Sequence, residues 1–250
     1  MRGVRPPGAR GVQAAAAALP ARAARQPWYP GRMTISGPDA VPFEAVLCDI
    51  DDVIRFYDVT EVTRLEHAAG LPVGSTAAAG FAPERGRPLV LGLLTRDAWV
   101  GATAAALADR VPHDLAVGLA AAFAGAPFRA EPEAVGLLRR ARAHCPVLLV
   151  TNGTPWLDED LARVGLDGLA DGVVNSSLVG VAKPDAGIYL IAASRAGVDP
   201  ARCLFVDDRA ENVQAAAALG MATVHYRGPA DLRAALAPLL GPAVEAPAGP

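Results

Sequence analysis

At 250 residues, 52% hydrophobic and 20% charged, the chain is long enough for one large domain, or a domain with an insert, and too apolar to be disordered throughout. Its net charge of −3 gives no electrostatic basis for binding nucleic acid or an anionic membrane, and no apolar run reaches the roughly 18 residues of a membrane span. Charge is unevenly spread. Residues 1–32 hold Arg2, Arg5, Arg10, Arg22, Arg25 and Arg32 and no acid, so a chain totalling −3 carries −9 beyond them.

Residues 1–40 are rich in Ala, Arg, Pro and Gly, include the run Ala14 to Ala18, and lack a sustained apolar period. They are expected to form a disordered extension. An Arg-rich, acid-free start imitates a transit peptide, and Ala14 to Leu19 imitates a signal core, but the run is short and weakly apolar. A translation start at Met33 is the simpler expectation.

The next stretch, Val46-Leu47-Cys48-Asp49-Ile50-Asp51-Asp52-Val53-Ile54, is an apolar strand that ends in acids. Alternation along an extended backbone puts Asp49 and Asp51 on the same side, where the pair can hold one hard cation. Ligands of open α/β sheets bind beyond the carboxyl ends of the strands. Cys48, Cys145 and Cys203 lie in or just before apolar runs, as reduced core cysteines do, and imply a cytosolic setting. Cys48 is expected to point away from Asp49 into the core. His67, His113, His144 and His225 show no ligand spacing.

Residues 58–128 read as an all-helical insertion, with helices at Thr60 to Ala69, Ser75 to Phe81, Thr95 to Val111 and Leu115 to Ala124. Thr95 is suited to cap its helix, with Asp97 and an inward-facing Trp99 in the first turn. From Glu131 strands and helices alternate. Helices are expected at Glu131 to His144, Leu157 to Val164, Asp185 to Ala196, Glu211 to Leu219 and Pro229 to Leu239. Strands are expected at Val147 to Val150, Val173-Val174, Cys203 to Val206 and Ala222 to His225. The pattern is that of a doubly wound, mainly parallel, Rossmann-like α/β core built from residues 41–57 and 129–240, followed by a loose tail over 241–250.

Three further clusters follow strands. Thr151-Asn152-Gly153 offers hydroxyl and N–H donors suited to phosphate oxygens. Lys183-Pro184 presents an ammonium from a restrained backbone, with Pro184 suited to the first position of a helix. Asp207-Asp208 closes a second strand with paired acids, and Asn212 lies four residues after Asp208, on one face of a helix start.

The ordered set Asp49-x-Asp51, Thr151-Asn152, Lys183-Pro184 and Asp207-Asp208-x-x-x-Asn212 resembles the four motifs of the haloacid dehalogenase superfamily, over about Phe43 to Arg227. The helical insertion is similar to the cap of its phosphoglycolate phosphatase-like branch. The resemblance implies a magnesium-dependent phosphohydrolase acting on a small phosphorylated metabolite, with Asp49 as nucleophile and Asp51 as general acid and base. It further implies Mg2+ held by Asp49, the main-chain carbonyl of Asp51, and Asp208, with Asp207 and Asn212 in support and Thr151, Asn152 and Lys183 holding phosphate. Asp52 stands where the family usually has Gly, and Asp tolerates left-handed backbone better than most residues. Dehalogenases of the superfamily lack the second Asp of the first motif, so Asp51 argues against dehalogenation. Phosphomutase or phosphonatase chemistry and a catalytically silent binding relative are the alternatives. Residues 59–130 contain no Lys for the Schiff base a phosphonatase would use. No nucleic-acid or membrane partner is expected, and a monomer or homodimer is.

Overall fold

A computed structural model describes residues 43–241 of the chain. The expected extension over 1–40, the Met33 start and all but the first residue of the expected tail lie outside the described residues.

Five parallel strands make the main sheet: β1 (Ala45–Cys48), β4 (Val147–Thr151), β5 (Gly172–Asn175), β6 (Cys203–Asp207) and β7 (Ala222–His225), in the order β5-β4-β1-β6-β7. The central strand β1 pairs Cys48 with Leu149 of β4 on one side and with Val206 of β6 on the other. Continuous apolar runs rather than alternating ones are what a sheet covered on both faces requires. Val46, Cys48, Val147, Leu149, Leu204 and Val206 pack on one face against α6 (Pro132–Ala141), α7 (Leu157–Arg163) and α11 (Pro229–Leu240). Ala45, Leu47, Leu148, Val150 and Phe205 pack on the other against α9 (Ala186–Ala196) and α10 (Ala210–Ala217). This is the doubly wound arrangement. The strand order turns back beside β1, so the crevice at its carboxyl end is where such sheets bind ligands.

The insertion between β1 and β4 contains α1 (Thr60–Ala68), α2 (Ser75–Gly80), α3 (Pro83–Val90), α4 (Arg96–Leu107) and α5 (His113–Ala124). It has a small core of its own around Leu71, Leu107, Leu119 and Ala120. Glu66 on α1 is buried and accepts hydrogen bonds from the main-chain N–H groups of Gly74 and Thr76, holding the start of α2. Thr95 caps α4 as expected, accepting from Ala98 N at 3.2 Å, and buried Trp99 donates to the carbonyl of Gly80.

Three elements depart from expectation. The helix α3 forms although Gly86 and Pro88 lie within it and both disfavour helix. A two-stranded antiparallel ribbon, β2 (Arg55–Tyr57) with β3 (Phe128–Ala130), leads into and out of the insertion; strands of three residues are too short to show a period. Pro184 does not open α9. It follows Lys183 through a cis peptide, and Asp185 is the cap, accepting from Gly187 N.

The insertion also meets the sheet domain through α8 (Ser176–Val179), where the Ser176 hydroxyl donates to the carbonyl of Val90. Gly92 sits beside it in the left-handed region (φ 73°), and a Cβ there would lie 2.4 Å from the carbonyl oxygen of Ser177. Only glycine fits this contact. Among the described residues no helix is long and apolar enough to cross a membrane.

Candidate active site

Asp49 follows β1 directly, Thr151 ends β4 and Asp207 ends β6, so three adjacent parallel strands deliver them to one rim. Lys183 joins them from the loop before α9. Its side chain is 1% exposed, and its three donors are all used: on Asp49 Oδ1 at 2.7 Å, on Asp207 Oδ2 at 2.7 Å and on the carbonyl of Val150 at 2.9 Å. A buried ammonium is tolerated only when paired in this way. Burial alone would push Lys183 down, but Asp49 and Asp207 outweigh it and its pKa is raised.

Asp49 is 5% exposed, and its Oδ1 also accepts from Ile50 N at 2.7 Å. Burial raises its carboxyl to about 7; the Lys183 charge opposes this and Asp207 adds to it. Asp207 accepts three hydrogen bonds. Oδ2 takes Lys183, and Oδ1 accepts from Arg209 N and from Asn212 Nδ2, both at 2.9 Å. Asn212, four residues after Asp208, thus gives its side-chain amide to Asp207. The Asp208 side chain is only half-buried, and its carboxyl is raised first by burial and then by Asp207 and Asp52. Asp49, Asp207 and Asp208 each present a carboxylate oxygen within 4.8 Å of the others. Hard oxygen donors so grouped suit a hard divalent cation.

The side-chain amide of Asn152 is engaged by the main chain of Lys183. Oδ1 accepts from Lys183 N at 2.7 Å, and Nδ2 donates to Lys183 O at 2.9 Å. Thr151 is buried at the end of β4. Nearby Asn175, at the end of β5, donates to the carbonyl of Thr154 and accepts from Ser177 N, steadying the loop after β4. As expected, Cys48 is fully buried in the core, and burial raises its thiol far above the range of a nucleophile.

Asp51 stands apart from the lysine cluster and is held by Arg55, whose Nε donates to Oδ1 at 2.6 Å and Nη2 to Oδ2 at 3.0 Å. Asp52, in the intervening turn, is the one non-glycine residue with positive φ (60°) among the described residues. Arg55 and its second neighbour Asp160 on α7 belong to none of the four motifs. The signal for Arg55 was present: a charged residue four positions after Asp51, between Ile54 and Phe56, has to find an acid.

A family model for the haloacid dehalogenase-like hydrolases matches residues 43–220. The chain is 41% identical over 83 residues, 32% of its length, to the pyrimidine 5'-nucleotidase YjjG of Escherichia coli (strain K12), covering 37% of that protein. In the curated relatives matched first, the matching stretch spans from 7% to 37% of the relative's own length. A solved haloacid dehalogenase family enzyme of Bacteroides thetaiotaomicron, bt-2542, in complex with magnesium and inorganic phosphate superposes with a TM-score of 0.57 at 17% identity, covering 74% of this chain and 94% of that one. The L-2-haloacid dehalogenase RSc1362 gives 0.55 at 25% identity, covering 72% and 85%. The chain belongs to the haloacid dehalogenase-like hydrolases.

Proposed function

We propose that the protein is a magnesium-dependent phosphohydrolase that removes the phosphoryl group from a small phosphorylated metabolite by way of an aspartyl-phosphate. The observation that carries this reading is the buried ammonium of Lys183 shared by Asp49 and Asp207, with the unsaturated carboxylate of Asp208 alongside. Phosphatase chemistry needs a nucleophilic carboxylate kept ionised in a site that also admits a phosphate dianion. Lysine alone cannot offset that much negative charge, and the grouped acids fit a cation.

Asp49, the main-chain carbonyl of Asp51 and Asp208 would hold Mg2+, which when bound neutralises the phosphoryl oxygens. Asp49 attacks phosphorus, and Asp51 gives a proton to the departing alcohol and then takes one from the hydrolytic water. Lys183 keeps Asp49 as the anion. The Thr151 hydroxyl and the main-chain N–H of Asn152 bind phosphoryl oxygens, while the Asn152 side chain, engaged by Lys183, orients the lysine. Asp207 and Asn212 act through Lys183 and do not touch substrate. The helical insertion serves as the cap that limits water and selects the leaving group.

The names of the nucleotidase relative and of the magnesium and phosphate complex support this reading. Dehalogenation is the less suitable alternative. A dehalogenase uses neither a metal nor a second acid in the first motif, and so would leave Asp51 without a use. The test is a screen of sugar phosphates, phosphoglycolate, nucleotides and an aryl phosphate, with and without Mg2+. Magnesium-dependent phosphate release is expected. Halide release from a haloacid without metal, or tight ligand binding without turnover, would overturn the proposal.

A further inference from the structure

Arg55 lies outside all four sequence motifs, yet its side chain is 3% exposed and it is among the most enclosed charges of the molecule. Its guanidinium packs over the rings of Tyr57 (5.1 Å) and Phe128 (5.3 Å), which meet each other edge to face. Nε and Nη2 grip the two oxygens of Asp51, whereas Nη1 has no hydrogen-bond partner and stands 3.6 Å from Asp160 Oδ2. Asp160 is itself 5% exposed and accepts from Arg163, with Arg96 of α4 at 3.8 Å.

An ion pair across residues 51–55 could simply close the turn. The main chain already does so: Arg55 N donates to Ile50 O and Asp52 N donates to Arg55 O, both at 2.9 Å. The turn is closed by these bonds without the side-chain fork. What it fixes is the side chain of Asp51, since a bidentate guanidinium permits one orientation of a carboxylate.

We propose that Arg55 is a positioning residue for Asp51, fixing the orientation from which one oxygen of that carboxyl group reaches the leaving group. The inference rests on the phosphatase reading and deepens it. Both bonds hold that orientation, Nε to Oδ1 at 2.6 Å and Nη2 to Oδ2 at 3.0 Å, and the lone pairs that the oxygens do not offer to Arg55 are left to carry and accept the proton. Asp160, with Oδ2 3.6 Å from Nη1, flanks the guanidinium on the side away from Asp51. In the first step an Asp49 oxygen bonds to phosphorus, the ester P–O bond breaks with its electron pair going to the leaving oxygen, and the Asp51 proton moves to that oxygen. In the second, a water oxygen bonds to phosphorus, Asp51 takes a water proton, and the bond from phosphorus to Asp49 breaks to restore the carboxylate.

Proton donation matters for an alkoxide and little for a nitrophenolate, which leaves readily as an anion. The discriminating quantity is therefore kcat/KM for an alkyl monophosphate relative to p-nitrophenyl phosphate, which reports steps up to formation of the aspartyl-phosphate. In the magnesium-loaded protein Arg55→Met is expected to lower the alkyl value by at least about tenfold and the aryl value by less than about threefold. Arg55→Lys should restore part of the alkyl loss. A thermal-melting cycle of Arg55→Met, Asp51→Asn and the double variant gives a readout free of activity and should be non-additive. Equal losses on both substrates with additive melting shifts would make Arg55 a packing residue and overturn the proposal, as would no loss on either. If Arg55→Met does not fold, Arg55→Lys and Asp160→Asn carry the same comparison, and the selective loss is expected in each. A wild type that hydrolyses neither phosphate overturns the phosphatase reading and this inference with it, whereas an active wild type with unselective variants overturns the inference alone.

Discussion

Asn152 and Lys183 grip one another through the main chain of the lysine: Asn152 Oδ1 accepts from Lys183 N at 2.7 Å, and Asn152 Nδ2 donates to Lys183 O at 2.9 Å. Residues 31 apart in sequence are thus locked in register, and the buried ammonium inherits its position from that lock. Asn152→Ala leaves a partly buried N–H and C=O without partners, at a cost of about 1–3 kcal/mol. Denaturant unfolding should show that loss, together with a fall in kcat larger than the change in KM. Asn152→Asp keeps the acceptor but sets an anion against the Lys183 carbonyl, and should be no better than Ala.

Lys183→Met removes the cation from between two buried carboxylates that lie 2.7 Å from it. Breaking a buried charge pair from one side costs about 3–5 kcal/mol. Adding Asp207→Asn relieves one orphaned charge, so the double variant should melt above the single one while remaining inactive.

Burial places the Asp49 carboxyl at about 7 in the absence of metal, and Asp208 and Asp52 are raised in the same direction, again chiefly by burial. A carboxyl group with a raised folded-state pKa binds protons more tightly folded than unfolded. Its stabilising contribution is full below pH about 4 and is lost as pH rises through the folded value, about 7 for Asp49. The metal-free protein should therefore lose thermal stability between pH 5 and pH 8, and Asp49→Asn should flatten the loss. Magnesium, which binds the ionised acids, should raise the melting temperature more at pH 8 than at pH 5.

Asp52 holds φ at 60°, a region open to Gly and, with some tolerance, to Asp. Asp52→Ala should cost about 1 kcal/mol. Asp52→Gly should be within about 0.5 kcal/mol of wild type, the freedom of glycine in the unfolded chain offsetting the relief of strain. Because Asp52 also raises Asp208 electrostatically, the Gly variant should show higher kcat/KM for dianionic substrates.

Much of the fold was legible because its signals are local. The short apolar runs ending in Asp49, Thr151 and Asp207 read as strands from their alternation with helical segments, and their carboxyl ends gather Asp49, Asp207 and Asp208, with Lys183 arriving from the loop before α9. What spacing could not reveal is which partner each side chain chooses. Asn212 goes to Asp207 rather than Asp208, the Asn152 amide turns to Lys183, and Asp51 is taken by Arg55. Those choices depend on rotamers and on which atoms the packed chain leaves unsatisfied. The ribbon of β2 and β3 and the helix α3 were hidden for a different reason: tertiary contacts, such as the Tyr57–Phe128 ring pair, hold segments whose own propensity is weak.

Acid quench of the magnesium-loaded protein during turnover of an aryl phosphate, followed by mass analysis of its peptides, bears most directly on the account. One phosphoryl group on the peptide carrying Asp49, absent from Asp49→Asn and lost on mild alkaline treatment, is the predicted result. Steady phosphate release by Asp49→Asn, or a phosphoryl group carried on any other peptide, would contradict it.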